Sequence, residues 1–215
     1  MRGLYLVTPN WDDTALMLEK TRAALDAGAA LVQYRHKDAS AGLRLEQAGA
    51  LLALCRSFKR PFVINDHLDL CLALDADGVH VGGTDASVAQ ARAMLGQNKI
   101  VGASCYGDLA LARAAQQDGA SYVAFGGFYP SPVKRYSFST EPDLICAALS
   151  EIKVPMVVIG GMTPANASCL VERGADMVAA ITSVYQADDI GAAVRDFNAL
   201  FARFPKRCEN ASAVV

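Results

Sequence analysis

The sequence predicts a single-domain α/β fold, a (β/α)8 TIM barrel. Short apolar runs alternate with amphipathic segments along nearly the whole chain. The alternation repeats eight times in 215 residues, or about 27 residues per unit. The runs themselves are continuously apolar, as strands covered on both faces require. Repeated strand–helix units build a parallel sheet covered by helices, and eight of them favour closure over an open, doubly wound sheet. The chain is shorter than the ~250 residues typical of such barrels, so its helices and bottom loops must be tight. No composition shift marks an internal boundary. Residues 1–205 are therefore expected to form one catalytic barrel, and the charged, small-residue stretch 206–215 a flexible tail.

Each element has its own signal. Leu4–Val7 is the first strand, closed by Thr8-Pro9. Met17, Leu18, Thr21 and Leu25 recur at helical spacing, and Gly28 stops that helix. Leu31–Tyr34 is the second strand, followed by a helix over about Leu43–Phe58. Pro61–Ile64 is the third, with a short helix near Leu68–Leu74. Gly78–Val81 is the fourth, and its helix runs from about Ser87 to the stop at Gly96. Lys99–Ala103 precedes a helix over Leu109–Gln117 with a stop at Gly119. Tyr122–Phe125 is the sixth strand. A long loop, Gly126 to Thr140, separates it from a helix over about Asp143–Ile152. Pro155–Ile159 leads to a helix over Pro164–Arg173, and Met177–Ile181 to a last helix over about Ile190–Phe204.

Composition narrows the partners. Twenty Lys and Arg against 22 Asp and Glu leave a net charge of -2, so no basic face is implied and nucleic acid is excluded as a partner. The six cysteines show no CxxC pair and no zinc-like spacing, and most fall in apolar runs, which fits a reducing cytoplasm. Met1-Arg2-Gly3 leads straight into an apolar strand without a signal-peptide core, and no apolar run approaches the length of a membrane span. The expectation is a cytoplasmic protein with small-molecule partners and no membrane, for which a homodimer stays open.

In a barrel of this kind the chemistry lies where the strands run out, at the C-terminal face. Phe62-Val63-Ile64 ends abruptly in Asn65-Asp66, and Asp85 follows the next apolar run. Two carboxylates on neighbouring strand ends suit Mg²⁺ that itself holds a phosphate. A turn Asp and a helix N-cap Asp would also read this way. The second strand ends in Gln33-Tyr34-Arg35-His36-Lys37, where a period of two sends Gln33, Arg35 and Lys37 to one side. Arg and Lys together suit a multiply charged phosphate, though a solvated polar turn fits as well. Ser104 ends the fifth strand as a rim hydroxyl or as the cap of the next helix. The sixth loop, Gly126-Gly127-Phe128-Tyr129-Pro130-Ser131-Pro132-Val133-Lys134-Arg135, has a length suited to a lid.

Strand seven ends in Gly160-Gly161-Met162-Thr163-Pro164, a glycine pair before a helix start that exposes N–H donors. Strand eight ends in Ile181-Thr182-Ser183. The loops after strands seven and eight form the recurring phosphate site of these barrels. Two anion regions at one mouth, one suited to a monophosphate and one to a diphosphate, suggest group transfer with pyrophosphate as leaving group. No histidine is placed for acid–base work: His36 alternates away from the cation face, His67 begins a helix and His80 packs or hydrogen-bonds at the barrel end. No Ser/His/Asp order or catalytic Cys/His pairing emerges, which disfavours hydrolysis.

Gly3-Leu4-Tyr5-Leu6-Val7-Thr8, Gln33-Tyr34-Arg35-His36-Lys37, Ile64-Asn65-Asp66, Ala76-Asp77-Gly78-Val79-His80-Val81-Gly82, Gly102-Ala103-Ser104 and Ile159-Gly160-Gly161-Met162 resemble the motifs of thiamine-phosphate synthases. The resemblance runs in order from Gly3 to about Asp189. It implies condensation of a hydroxymethylpyrimidine diphosphate with a thiazole phosphate, with Mg²⁺ as cofactor and pyrophosphate released by a dissociative route. It further implies that Asp66 and Asp85 bind the metal and that Arg35, Lys37, Ser104 and Lys134 are catalytic. The implied substrate-binding set is the block Gln33, Tyr34, Arg35, His36 and Lys37 with Asn65, Ser104, Ser131, Pro132, Val133, Lys134, Gly161, Ile181 and Thr182.

The chain departs from that family at several points. Ser131-Pro132-Val133-Lys134 replaces the usual Thr-x-Thr-Lys, so Val133 lacks the second hydroxyl. Val81-Gly82-Gly83-Thr84-Asp85 stands for the commoner Leu-Gly-Gln-Glu-Asp, and Thr182 for Ser. Related thiazole tautomerases carry a His in the sixth loop where this chain has Gly127. A tautomerase-like isomerase and a non-catalytic phosphate-binding barrel are the competing readings.

Overall fold

The computed structural model describes residues 1–82, 87–131 and 137–205. Eight parallel strands close into a barrel in chain order, with β8 returning to pair with β1. They are β1 (Gly3–Val7), β2 (Leu31–Tyr34), β3 (Phe62–Asn65), β4 (Gly78–Val81), β5 (Ile100–Tyr106), β6 (Tyr122–Gly126), β7 (Met156–Ile159) and β8 (Met177–Ala180). Between and after them lie α1 (Thr14–Asp26), α2 (Ala41–Ser57), α3 (Leu68–Leu74), α4 (Val88–Leu95), α5 (Leu109–Gln117), α6 (Asp143–Glu151), α7 (Pro164–Glu172), α8 (Thr182–Tyr185) and α9 (Ile190–Arg203). The predicted barrel is therefore present. The expected tail, 206–215, falls outside the described residues.

Strand alternation sorts the apolar side chains into two layers. Leu4, Leu6, Val32, Phe62, Ile64, Val79, Val101, Val123 and Val158 face the helices and join Met17, Leu51 and Phe197 there. The opposite parity fills the barrel with Tyr5, Val7, Leu31, Val63, Tyr122, Ala124, Val157, Met177 and Ala179. This double covering is why the strands are apolar without a break. The helix starts are set by short polar side chains that accept first-turn N–H groups: Asp13, Ser40, Ser87, Asp108, Thr163 and Asp189.

At the base of the barrel a recurrent clasp ties the starts of β3, β5 and β7 to the residue before the next strand. Asp77 accepts the N–H of Phe62 at 2.8 Å, Ser121 that of Val101 at 3.1 Å, and Asp176 that of Met156 at 3.0 Å. These are backbone donors that the parallel ladder leaves over, and burial without an acceptor would be costly.

Three local features differ from the sequence expectation. β5 continues to Tyr106, with a shift of pairing register between Ser104 and Tyr106. Ser104 is therefore a strand residue, and the cap of α5 is Asp108 instead. Strand pattern hid this because a bulge breaks the period of two. The short helix α8 went unread, since one turn carries no periodicity. Tyr34 and His36, expected among the substrate contacts, turn toward the helix layer. The Tyr34 hydroxyl donates to Gln47 at 3.0 Å, and His36 Nε2 pairs with Asp12 at 3.0 Å.

Candidate functional site

A deep concavity opens at the C-terminal end of the strands, where every strand contributes to its wall. β2 and the turn after it supply Gln33, Arg35 and Lys37, the parity expected from the sequence. β3 supplies Asn65 and the turn residue Asp66, β4 His80, and β5 Ser104 and Tyr106. Ser131 reaches it from the β6 loop, Gly161 from the β7 loop, and Ile181 and Thr182 from the end of β8. Pro132, Val133, Lys134 and Asp85 lie outside the described residues.

Asp66 sits at φ 63°, in the left-handed region that side chains other than Asn and Asp rarely enter. That turn brings its carboxylate back beside the preceding residue, where Asn65 Nδ2 donates to Asp66 Oδ2 at 2.5 Å. Residues held in sparsely populated backbone states cluster at functional sites. The Asn-Asp pair thus has the two properties its sequence position suggested: it ends a buried strand, and it holds a hard oxygen donor at the rim. Among the described residues no group of three or more His, Cys, Asp or Glu could by itself enclose a metal ion.

The opposite wall is made of backbone. Gly160 and Gly161 both take positive φ, 112° and 59°. A side chain at Gly161 would meet the Pro130 carbonyl, so the β6 loop seats directly on the β7 loop. The base of that loop is pinned by Thr140, whose N–H bonds Gly127 O at 2.9 Å and whose hydroxyl bonds Gly126 O at 2.6 Å. Its flank is held by the Tyr129 hydroxyl donating to Asn166 O at 3.0 Å. The sequence placed the anion donors at the glycine pair before α7 and in the loop after β8; at the start of α7 itself a capping box occupies two N–H groups. Thr163 and Asn166 exchange side-chain acceptors for each other's N–H groups at 2.9 and 3.3 Å. The donors left for an anion are the glycine turn and the first turn of α8, whose Thr182 and Ser183 N–H groups have no intrahelical acceptor.

Sequence reading named Gln33 and Ser104 but passed over Tyr5 and Tyr122, which join them on the floor of the mouth. Gln33 Nε2 donates to the Tyr5 hydroxyl at 2.5 Å, and Tyr5 and Tyr122 share a hydroxyl–hydroxyl bond of 2.6 Å. His80 Nδ1 lies 3.0 Å from the Tyr122 hydroxyl and its Nε2 2.9 Å from Ser104 Oγ. Burial drives both phenols well above their ordinary pKa, so each stays a neutral hydroxyl. The signal missed for the tyrosines was parity: Tyr5 and Tyr122 fall on the same inward phase as Gln33, His80 and Ser104.

With this geometry in view, comparison with other proteins becomes informative. Residues 4–184 match the family described as Thiamine monophosphate synthase. A thiamine-phosphate synthase of Janthinobacterium sp. (strain Marseille) is 62% identical over 203 residues, covering 94% of this chain and 98% of that protein. One from Thiobacillus denitrificans is 47% identical over 204 residues, covering 95% and 97%. The solved thiamine phosphate pyrophosphorylase from Pyrococcus furiosus superposes with a TM-score of 0.83 at 30% identity, covering 94% of this chain and 96% of that one. The barrel, the motifs at its mouth and these likenesses agree, and the chain belongs to the thiamine monophosphate synthase family.

Proposed function

We propose that the chain is a transferase that joins 4-amino-2-methyl-5-(diphosphooxymethyl)pyrimidine to 4-methyl-5-(2-phosphooxyethyl)thiazole, giving thiamine phosphate and pyrophosphate. The observation that carries this reading is the division of the mouth into two anion-binding halves. Arg35, Lys37, Asn65 and Asp66 stand on one side, the β7 glycine turn and the start of α8 on the other. Family membership and close relatives named thiamine-phosphate synthase support it.

In this reading Arg35 and Lys37 hold the diphosphate, and their fixed charge favours departure of pyrophosphate as the C–O bond breaks. The bond breaks first, a pyrimidine-stabilised cation forms, and the thiazole nitrogen captures it. Val7, Ala124, Val157, Ile159 and Met162 give the pocket an apolar wall that keeps water from competing for that cation. The thiazole phosphate lies against Gly161, Ile181 and Thr182, held by main-chain N–H groups and by Ser131, while Asn65 and Ser104 hold the pyrimidine side. Pro132, Val133 and Lys134 are assigned to the same loop contacts by the resemblance alone.

Mg²⁺ is the cofactor this reading calls for. Asp66 and Asp85 would hold it, and when bound it would neutralise charge on the departing diphosphate. The hard-oxygen chemistry of Asp66, held at the rim by Asn65, suits that ion.

The partners are then two phosphorylated small molecules, with no nucleic acid and no membrane. No helix among the described residues is long and apolar enough to cross a membrane. Five free cysteines among those residues support a reducing cytoplasm as the compartment.

Mixing both substrates with enzyme and Mg²⁺ and assaying pyrophosphate tests the reading. Stoichiometric pyrophosphate and thiamine phosphate are expected. A tautomerase-like isomerase or a non-catalytic binder would release none.

A further inference from the structure

The five side chains on the floor of the mouth form one unbroken hydrogen-bonded chain, Gln33–Tyr5–Tyr122–His80–Ser104, that crosses the barrel from β2 to β5. Its members come from five different strands. Tyr122 is the middle link. Its ring stands edge-on to Tyr5 at 5.7 Å and stacks on His80 at 5.7 Å, 16° from parallel. Tyr122 is fully buried, so its contacts with solvent cannot substitute for either bond.

Gln33 also bonds the Tyr122 hydroxyl, and with His80 neutral the chain has two proton orders in which each link both gives and receives. The Gln33 amide decides between them. With Nε2 facing Tyr5, the amide donates to the Tyr5 oxygen, and the Tyr5 proton must go to Tyr122 if it is not to be buried without an acceptor. Tyr122 then donates to His80 Nδ1, so His80 carries its proton on Nε2 and gives it to Ser104 Oγ. The Ser104 hydroxyl proton is left to point into the pocket, and Gln33 Oε1 is left to accept from it.

We propose that Tyr122 is a positioning residue that transmits along this relay the direction set by the Gln33 amide, so that Gln33 presents an acceptor and Ser104 a donor to the pyrimidine. This deepens the proposed function and rests on it. A 4-aminopyrimidine edge offers an N–H donor beside a ring-nitrogen acceptor and matches that pattern. The 4-oxo analogue offers the reverse, and reversing the relay to suit it would require every link to turn over. Selectivity for the amino substrate is thus set by a phenol that touches no substrate.

The test uses Tyr122→Phe, which keeps the ring and removes the link. With the amino substrate, kcat/KM should fall on the order of tenfold, the loss expected for one buried hydrogen bond. The wild-type preference for the amino over the 4-oxo diphosphate should shrink by a similar factor. A variant as selective as the wild type would overturn the proposal, because a purely structural loss would slow both substrates alike. Independently of turnover, ¹⁵N NMR of wild-type His80 should show the Nε2–H tautomer, and the variant a mixture. An Nδ1–H tautomer in the wild type, or an unchanged tautomer in the variant, would also refute it. If the wild type released no pyrophosphate, the proposed reaction would fall while the tautomer measurement still decided the direction of the relay.

Discussion

Gly102 and Tyr122 are complementary in space: a methyl group at position 102 would run into the Tyr122 phenol. The two residues are paired across β5 and β6, and the barrel has room for the phenol only because its neighbour has no side chain. Gly102→Ala should therefore overpack the interior at a cost of about 1–3 kcal/mol. Thermal unfolding would read this as a lower Tm, and pyrophosphate release should fall with it as His80 loses its partner. A variant with wild-type Tm and turnover would show that the phenol has another place to go.

Asp66 combines a strained backbone with the carboxylate proposed to hold Mg²⁺, and two substitutions separate the roles. An alanine in the left-handed region costs about 1–2 kcal/mol, which glycine does not incur. Asp66→Gly should therefore melt above Asp66→Ala, while both lose Mg²⁺-dependent turnover. Equal melting temperatures would remove the strain from the account. Retained turnover would remove the carboxylate from the site.

Arg35 and Tyr34 are chain neighbours that face opposite layers. Arg35→Ala should raise KM for the diphosphate substrate or lower kcat, with at least a tenfold loss in kcat/KM on the scale of one charge-assisted hydrogen bond. Arg35→Lys should recover only part of it, since an ammonium cannot make the bidentate contact. Tyr34→Phe should lower stability by about 1 kcal/mol through its lost bond to Gln47 and leave KM unchanged. Steady-state kinetics on the three variants would show a reversed pattern if Tyr34 were the ligand contact.

Buried thiols predict the alkaline behaviour. Burial pushes Cys55 to about 12, Cys71 to about 11 and Cys105 to about 12, from an ordinary value of 9.0. Folded-state values above the unfolded one mean that the folded chain keeps protons the unfolded chain gives up. Their contribution is thus complete below about pH 9 and is lost as the pH rises through about 11 to 12. The Tm should be insensitive to these groups near neutrality and decline beyond pH ~9, more gently in Cys55→Ala. At pH ~8 a thiol reagent should label the exposed Cys146 and spare Cys55, Cys71 and Cys105. Labelling of those three without unfolding would contradict their burial.

Much of this was legible in the residues. Continuous apolar strands, helix caps and glycine stops placed the eight repeats, because burial on both faces and local capping are short-range rules. The parity of Gln33, Arg35 and Lys37 was readable for the same reason, and the structure puts all three in the wall. The polar floor was not. Tyr5 and Tyr122 look like core aromatics in sequence, and their hydroxyls find partners only when closure brings β1 and β6 within reach across the barrel. For Ser104 the choice between rim hydroxyl and helix cap stayed open, because the register shift before Tyr106 has no local signature. Nor does the sequence say that Thr163 and Asn166, at the start of α7, satisfy each other's N–H groups.

The clasps made by Asp77, Ser121 and Asp176 lie at the end of the cylinder away from the substrates. Cohesion is thereby anchored at one pole and chemistry at the other, which lets the two be inherited separately. Loops at the working pole can therefore vary in sequence with the foundations untouched.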